Sequence, residues 1–241
     1  IRATGQTQSA RGRAQARELP PEVSPPFVLP FAKETVMKLF TSNTSPYSRI
    51  VMLAALAHGL DDLQLAYADP WTTPAELTAI NPLSQVPALV TDEGVVIVNS
   101  PLILDFLFER PFRGARQAAL AGYAFELLDQ VVKAYSLERF KPAQGEQHPH
   151  IERARQAVAR GLTHAPQLDA ASDEVAQHVL GMAFSYAELR HPALFKQFLS
   201  AENQRAFARY NERADVRAVA IEQLEKHPAT VGELRRSMQQ A

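Results

Sequence analysis

Every strand-like segment of this chain lies before residue 100, and everything after it carries the period of helix alone. Few folds accept that asymmetry. From Met37 the order is strand, helix, strand: "MKLFTS" alternates buried and exposed character, and "LQLAYAD" alternates again. Between them "YSRIVMLAALAHGL" places Ile50, Leu53, Ala54, Ala57 and Leu60 at helical spacing and stops near Gly59. This is a βαβ unit. The loop "PWTTPAELTAINPLSQ" then leads to two short strands, "VPALV" and "VVIVN", joined by "TDEG", whose length and glycine suit a hairpin. A helix opens at "SPLILDFLF", with Ser100 as its cap and Pro101 in the first helical position, where a missing N–H costs nothing.

The composition shifts at residues 109–114, "ERPFRG", which marks a domain boundary. Past it, one predicted helix carries Leu120, Ala124, Leu127, Leu128, Val131 and Tyr135 on one face, and the next carries Ile151, Ala154, Val158, Leu162 and Ala165. "SDEVAQHVLGMAFSYAEL" and "HPALFKQFLSAENQRAFARY" add two or three more. The expected organisation is a flexible tail over 1–36, a mixed α/β domain over 37–111 and an all-helical domain over 112–241. The tail is rich in Arg, Gln, Ser and Pro without a kept period, and its prolines interrupt the amphipathic helix that an organelle signal needs. Met37 is the expected start of the functional chain.

Composition removes several chemistries. With no cysteine there is no disulfide, no thiolate metal site and no protein thiol nucleophile, so any sulfur chemistry must arrive with a ligand. A formal net charge of −1 gives no field that would favour nucleic acid or an anionic membrane. No apolar run approaches the roughly 20 residues that cross a bilayer, and a soluble, cytoplasmic protein is expected. The seven histidines, His148, His150 and His164 among them, sit in polar text without a zinc-ligand spacing and read as surface residues. Neither an HExxH sequence nor a Gly-rich phosphate loop occurs. Arg153, Arg155 and Arg160 beside Glu152 read as a solvated helix face.

The stretch with chemical content is "TSPYSR", residues 44–49. Two serines flank Pro-Tyr at the mouth of a helix, where a thiol redox site would have two cysteines. Ser45 followed by Pro46 is a preferred helix start, and the cap contributes about 1 kcal/mol. The same positive helix end can hold a ligand's thiolate, with the Ser45 hydroxyl donating to the sulfur. Favouring thiolate by two pKa units needs only about 2.7 kcal/mol, within reach of one charge-assisted hydrogen bond plus the helix dipole. Both readings stand at this point, and Thr44 and Ser42 are competing hydroxyls. Tyr47 reads as a packed or exposed aromatic, and Ser48 as a residue that solvates the helix.

A βαβ unit, a loop closing on Val-Pro, a hairpin and a Ser-capped helix together describe a thioredoxin-like domain. With an all-helical domain after it, the chain resembles the glutathione S-transferase family over about residues 37–220. "MKLFTSNTSPYSRIV", "NPLSQVPALV" and "VNSPLILDFL" carry the resemblance in the right order and spacing, and "TSPYSR" is similar to bacterial members with a serine at the thiol site. The resemblance implies an α/β thioredoxin-like N-terminal domain, an all-α C-terminal domain, and glutathione as cosubstrate without metal or other cofactor. It implies Ser45 as the residue that activates the glutathione thiolate, with Thr44 beside it. Val86–Pro87 is implied to be a cis bond, leaving the Val86 backbone to pair with the cysteinyl backbone as an added strand would. Gln85 falls near the glycine end, and Ser100 at a helix N-terminus suits the γ-glutamyl carboxylate.

Two departures from the family pattern stand out. Members usually carry Glu or Asp where this chain has Asn99, so charge toward the ligand's α-ammonium is lost, and Ser84 replaces a glycine before Gln85. In the helical domain, Asp173 matches a family capping position, but Ala170 stands where Ser or Thr is usual, so Ser172 or Asp169 is expected to cap instead. Trp71, Tyr123 and Phe125 are candidates for an acceptor pocket or for plain core. The activity implied is transfer of the glutathione thiolate to a small electrophile in the cleft between domains, by a homodimer. A non-catalytic scaffold or ligand carrier on the same fold is the alternative that Asn99 and Ser84 favour.

Overall fold

The computed structural model describes residues 36–143 and 148–238. The tail expected over 1–36 lies, but for Val36, outside the described residues. Four strands form one sheet: β1 (Lys38–Thr41), β2 (Gln64–Tyr67), β3 (Ala88–Val90) and β4 (Val96–Val98), in the order β2-β1-β3-β4. β1 and β2 are parallel and joined by the crossover helix α1 (Pro46–His58), whereas β1–β3 and β3–β4 are antiparallel. Alternation along the strands divides the sheet into two faces. Leu39, Leu65 and Leu89 join the main core with α1, while Ala88, Val90 and Val96 form a second, smaller core.

The segment read as a plain loop between β2 and β3 holds structure of its own. Asp69 accepts from the Trp71 N–H and starts a single 3-10 turn, Pro70–Thr72, and "AELTAI" coils into α2 (Ala75–Ile80). Its Leu77 and Ile80 cover the second core. A six-residue helix is too short to show a period, which is why the sequence pattern passes over it.

α1 ends where Gly59 takes φ 73°, a left-handed conformation that only glycine adopts without cost, and its N–H bonds back to the last turn. Ala57, expected on the core face, is exposed. From Ser48 to Leu56 every residue of α1 is buried. A single amphipathic stripe does not describe this helix, because it is packed between the sheet and the helical domain. Ser48, expected to solvate α1, is buried with it and its hydroxyl has no partner among the described residues.

The next helices are α3 (Ser100–Leu107), the 26-residue α4 (Gly114–Arg139), α5 (Pro149–Thr163), α6 (Val175–Arg190), α7 (Pro192–Phe198) and α8 (Ala201–Asn211). The periodic faces fall inward as expected, with Ala124, Leu127, Leu128 and Val131 of α4 against Ala154, Val158 and Leu162 of α5 in one core. α6 is buried along nearly its whole length and packs on both α4 and α1. Neither Ser172 nor Asp169 caps it: their side chains accept from the N–H groups of Glu174 and Ala171 in the preceding turn, and Asp173 binds Arg213. His178 and His191 are buried rather than on the surface, since both lie among α6 and its packing partners. Burial holds His178 neutral, with its pKa lowered to about 4.

Three short helices escape the sequence pattern: α9 (Ala214–Ala218), α10 (Ile221–Leu224) and α11 (Val231–Met238). They carry the chain back to the first domain. Thr230 bridges to Gln64, the Leu65 N–H donates to Ala229 O at 2.9 Å, and the Val231 N–H donates to Leu63 O at 3.0 Å. Arg235 of α11 clamps the end of α1 by donating to Leu56 O at 2.5 Å, and the turn after it by donating to Asp61 Oδ1 at 2.7 Å.

Two glycines in long helices differ in what surrounds them. A Cβ at Gly181 of α6 would lie 2.4 Å from the ring of Tyr210, which is fully buried and has nowhere to go, whereas Gly122 of α4 faces open space. Gly181→Ala is expected to cost about 1–3 kcal/mol by overpacking, against a helix-propensity gain of about 1 kcal/mol at Gly122→Ala. Urea unfolding of the two variants should move in opposite directions.

Candidate functional site

The described residues enclose a cavity of about 730 Å³ where the N-terminus of α1, the end of the β3 approach and the start of α3 meet the helical domain. Ser45 is the N-cap of α1, with Pro46 in the first turn. Its side-chain oxygen accepts from the Ser48 N–H at 3.2 Å, and the residue is 9% exposed at the cavity wall. A hydroxyl has one hydrogen and two lone pairs, so capping uses a lone pair and leaves the O–H free to donate. Thr44 and Ser42 line the same wall.

Opposite them, the Val86–Pro87 peptide bond is cis, and both residues line the cavity. The loop before it is braced by Asn81, whose Nδ2 donates to Gln85 O at 2.8 Å and whose Oδ1 accepts from the Leu83 N–H at 3.2 Å. Ser84 takes φ 49° within this brace, in the left-handed region where glycine would sit without strain, and its hydroxyl bonds Pro70 O at 3.1 Å. Gln85 is exposed and also lines the cavity.

The third wall is the start of α3, and here the expected cap is displaced by one residue. Asn99, not Ser100, is the N-cap; it takes φ 76° and ψ 118°, its side chain caps nothing, and its carbonyl accepts from Leu102 and Ile103. Ser100 is therefore the first helical residue and Pro101 the second. Pro still fits the first turn, where its absent N–H needs no partner. Ser100 is buried at the base of the cavity, while Asn99 is exposed beside it in a strained conformation.

The helical domain closes the cavity with Phe125, Asp129, Val132 and Ser136 of α4 and Tyr186 of α6. Trp71 and Phe125 line it as two of the three aromatic candidates; Tyr123 does not, because its O–H donates to Gly161 O on α5 at 2.7 Å. Sequence pattern missed Asp129, Ser136 and Tyr186. The one available signal was a carboxylate directly after Leu127 and Leu128 on the predicted apolar helix. The Tyr47 O–H donates to Asp129 Oδ1, tying the first turn of α1 to the middle of α4. Burial first, and then the bond to and charge of Asp129, push the Tyr47 phenol far above the ordinary tyrosine range. Tyr47 is thus a proton-bearing donor fixed in place, not a phenolate.

The first domain matches the family model for the glutathione S-transferase N-terminal domain over residues 44–110. A glutathione transferase family member from Pseudomonas fluorescens, solved with bound glutathione, superposes with a TM-score of 0.63 at 25% identity, over 76% of this chain and 98% of that one. This is the glutathione S-transferase fold. Among curated proteins, the maleylacetoacetate isomerase of Pseudomonas aeruginosa is 36% identical over 100 residues, covering 35% of this chain and 47% of that protein. The GST-like protein YibF of Escherichia coli is 26% identical over 136 residues, covering 52% of this chain and 66% of YibF. The chain thus spans about half of the first curated relative and just under two thirds of the second.

Away from the cavity, Asp173, His178 and Asp215 bring ligand atoms within 4.8 Å of one another. The Arg213 guanidinium already bonds both carboxylates, and His178 Nδ1 lies 3.1 Å from the Tyr210 hydroxyl. This cluster already has its cation. Among the described residues no helix is long and apolar enough to cross a membrane.

The Tyr47–Asp129 contact gives an alkaline prediction. An unfolded tyrosine ionises near pH 10, while folded Tyr47 keeps its proton well above that pH. The folded state then binds more protons than the unfolded one, so stability falls as pH rises past about 10. Chemical denaturation at pH 9 and pH 11 should show that fall, and Tyr47→Phe should reduce its slope. An unchanged slope would mean that the phenol ionises in the folded protein.

Proposed function

We propose that the chain binds glutathione in this cavity and joins its thiolate to a small electrophile. The observation that carries the reading is the convergence of Ser45, the cis Val86–Pro87 edge and the buried Ser100 on one cavity, in a chain with no thiol of its own. The Val86 N–H and C=O pair with the cysteinyl backbone of the tripeptide, and Gln85 faces its glycine end. The Ser100 N–H and hydroxyl hold the γ-glutamyl carboxylate at the positive end of α3. The sulfur then lies at the N-terminus of α1, where the free O–H of Ser45 donates to it while the oxygen continues to cap Ser48. Thr44 lines the wall beside it.

The chemical step follows from thiolate stabilisation and positioning. The thiol proton leaves to water, a sulfur electron pair forms the new S–C bond, and the leaving group departs with the pair of the bond it breaks. Glutathione serves as cosubstrate. A non-catalytic binding role on the same fold draws support from Asn99, exposed and without the charge that would hold an α-ammonium. Turnover of a generic electrophile separates the two readings.

Calorimetric titration with glutathione is expected to show binding below millimolar concentration; no binding at millimolar ligand would sink the reading. Ser45→Ala should lower kcat by about 10- to 100-fold, or about 1.4–2.7 kcal/mol, and raise the pKa of the bound thiol while leaving affinity nearly intact. Full activity in that variant would move the role to Thr44 or Ser42. A two-fold dimer is part of the same proposal, with α3 facing a second copy through Leu102 and Phe106, which are 61% and 52% exposed one turn apart. Light scattering should give twice the chain mass for the native protein and the monomer mass for Leu102→Glu/Phe106→Glu. A native monomer would contradict the dimer alone.

A further inference from the structure

Ser136 is the last residue of α4 on the cavity wall, and beyond it the two domains meet through a pair of exposed rings. Trp71, on the turn Pro70–Thr72, belongs to the wall on the first-domain side. Phe140 stands outside the wall, one helical turn past Ser136, with its N–H bonded back to Ser136 O at 3.1 Å. The rings of Trp71 and Phe140 touch across the domains, with centroids 5.1 Å apart and planes tilted by 47°. The Arg139 guanidinium lies 5.4 Å from the Trp71 ring and 5.6 Å from the Phe140 ring. Among the described residues, no hydrogen bond or ion pair joins residues 70–73 to the helical domain.

Trp71 is 43% exposed and Phe140 61%, so an aromatic pair with one cation beside it is a weak tie here. The turn that carries Trp71 is also strained. Thr73 takes φ 48° and ψ 55°, a left-handed conformation that β-branched residues rarely adopt, and Pro74 after it narrows its choice further. Both ends of this arch are fixed. The Ser84 hydroxyl donates to Pro70 O at 3.1 Å, and α2 is anchored by the fully buried Leu77. Between these anchors Trp71, Thr72 and Thr73 are all exposed. A strained arch held by one weak contact has a second position within reach.

We propose that this arch is a gate on the cavity. In the closed position, the one seen, Trp71 rests on Phe140 and covers the cavity at Ser136. In the open position Thr73 leaves the left-handed region, the Trp71 ring leaves Phe140, and a small molecule passes between the two domains. Two opposing contributions set the balance: strain at Thr73 favours opening, and the ring contact favours closing. The helix starts at Ser45 and Ser100 take no part, so those walls keep their geometry while the gate moves. The proposal rests on the cavity and not on the transfer reading above.

The chain has no cysteine, so one introduced thiol reports access to the cavity without background. Ser136→Cys is nearly isosteric and places that thiol behind the gate. Its rate of modification by N-ethylmaleimide, in the full chain without glutathione, follows the open population when the gate moves faster than the reagent reacts. Adding Phe140→Ala is expected to raise that rate about tenfold, whereas Phe140→Tyr, which keeps the ring, should leave it slow. Thr73→Asn, a residue that tolerates the left-handed region better, should slow labelling by about threefold. A thiol placed by Ala201→Cys on the exposed start of α8 should react at one rate in every background. Equal labelling of Ser136→Cys with and without the Phe140 ring, no slowing by Thr73→Asn, or a parallel change at Ala201→Cys overturns the gate. Calorimetry with glutathione on the native chain decides the transfer reading separately, so either can fail while the other stands.

Discussion

The position of every wall of the cavity depends on the burial of α1 between the sheet and α6. Arg49 sits in the middle of that contact, 5% exposed, with its Nε donating to Val219 O at 2.8 Å and its Nη1 to Ser185 Oγ at 3.1 Å. No carboxylate bonds it among the described residues. Burial lowers its pKa to about 10, so it remains charged at neutral pH and its donors must be met by fixed, directional acceptors. One side chain thus ties the thioredoxin-like domain to α6 and to the turn after α9. The N-terminus of α1 projects into the cavity from an anchored helix, and Tyr47 extends the same tie to α4 through Asp129. A site built on such a helix can hold its geometry to the precision that chemistry on a ligand needs.

The four strands and the helix between the first two were legible because strands and helices of ordinary length impose periods of two and 3.6, and turn residues punctuate them. Ser45, Pro46 and Gly59 announced α1 by cap chemistry, and the hairpin followed from "TDEG", where Gly94 takes φ 77°. What the sequence hid has local causes. α2, α9 and α10 are too short for a period to show, and α1 and α6 are buried on too many sides for a stripe to mark one face. Ser100 looked like a cap because serine commonly is one; the chain instead placed Asn99 there, in a left-handed conformation that asparagine tolerates better than most residues.

The first-domain half of the site could be read from adjacent residues, whereas the other half could not. Asp129, Ser136 and Tyr186 meet the cavity only because α4 and α6 pack side by side, and no single-sequence signal carries that juxtaposition. Ser45 resolves differently. Its two sequence readings are not rivals, since the cap occupies the oxygen and the hydrogen is left for a ligand. Serine at this position is suited to both roles at once.

The return of the chain to β2 bears on how the edges of the sheet are kept from pairing with foreign strands. A sheet of order β2-β1-β3-β4 has two raw edges, each a row of backbone groups able to recruit a foreign strand. One edge, β4, is only three residues long. The other is sealed by the chain itself, where residues 229–231 bond to both sides of Gln64 at the entry to α11. The last helices therefore act as a gatekeeper: clipping them would uncover a template for aggregation in the first domain.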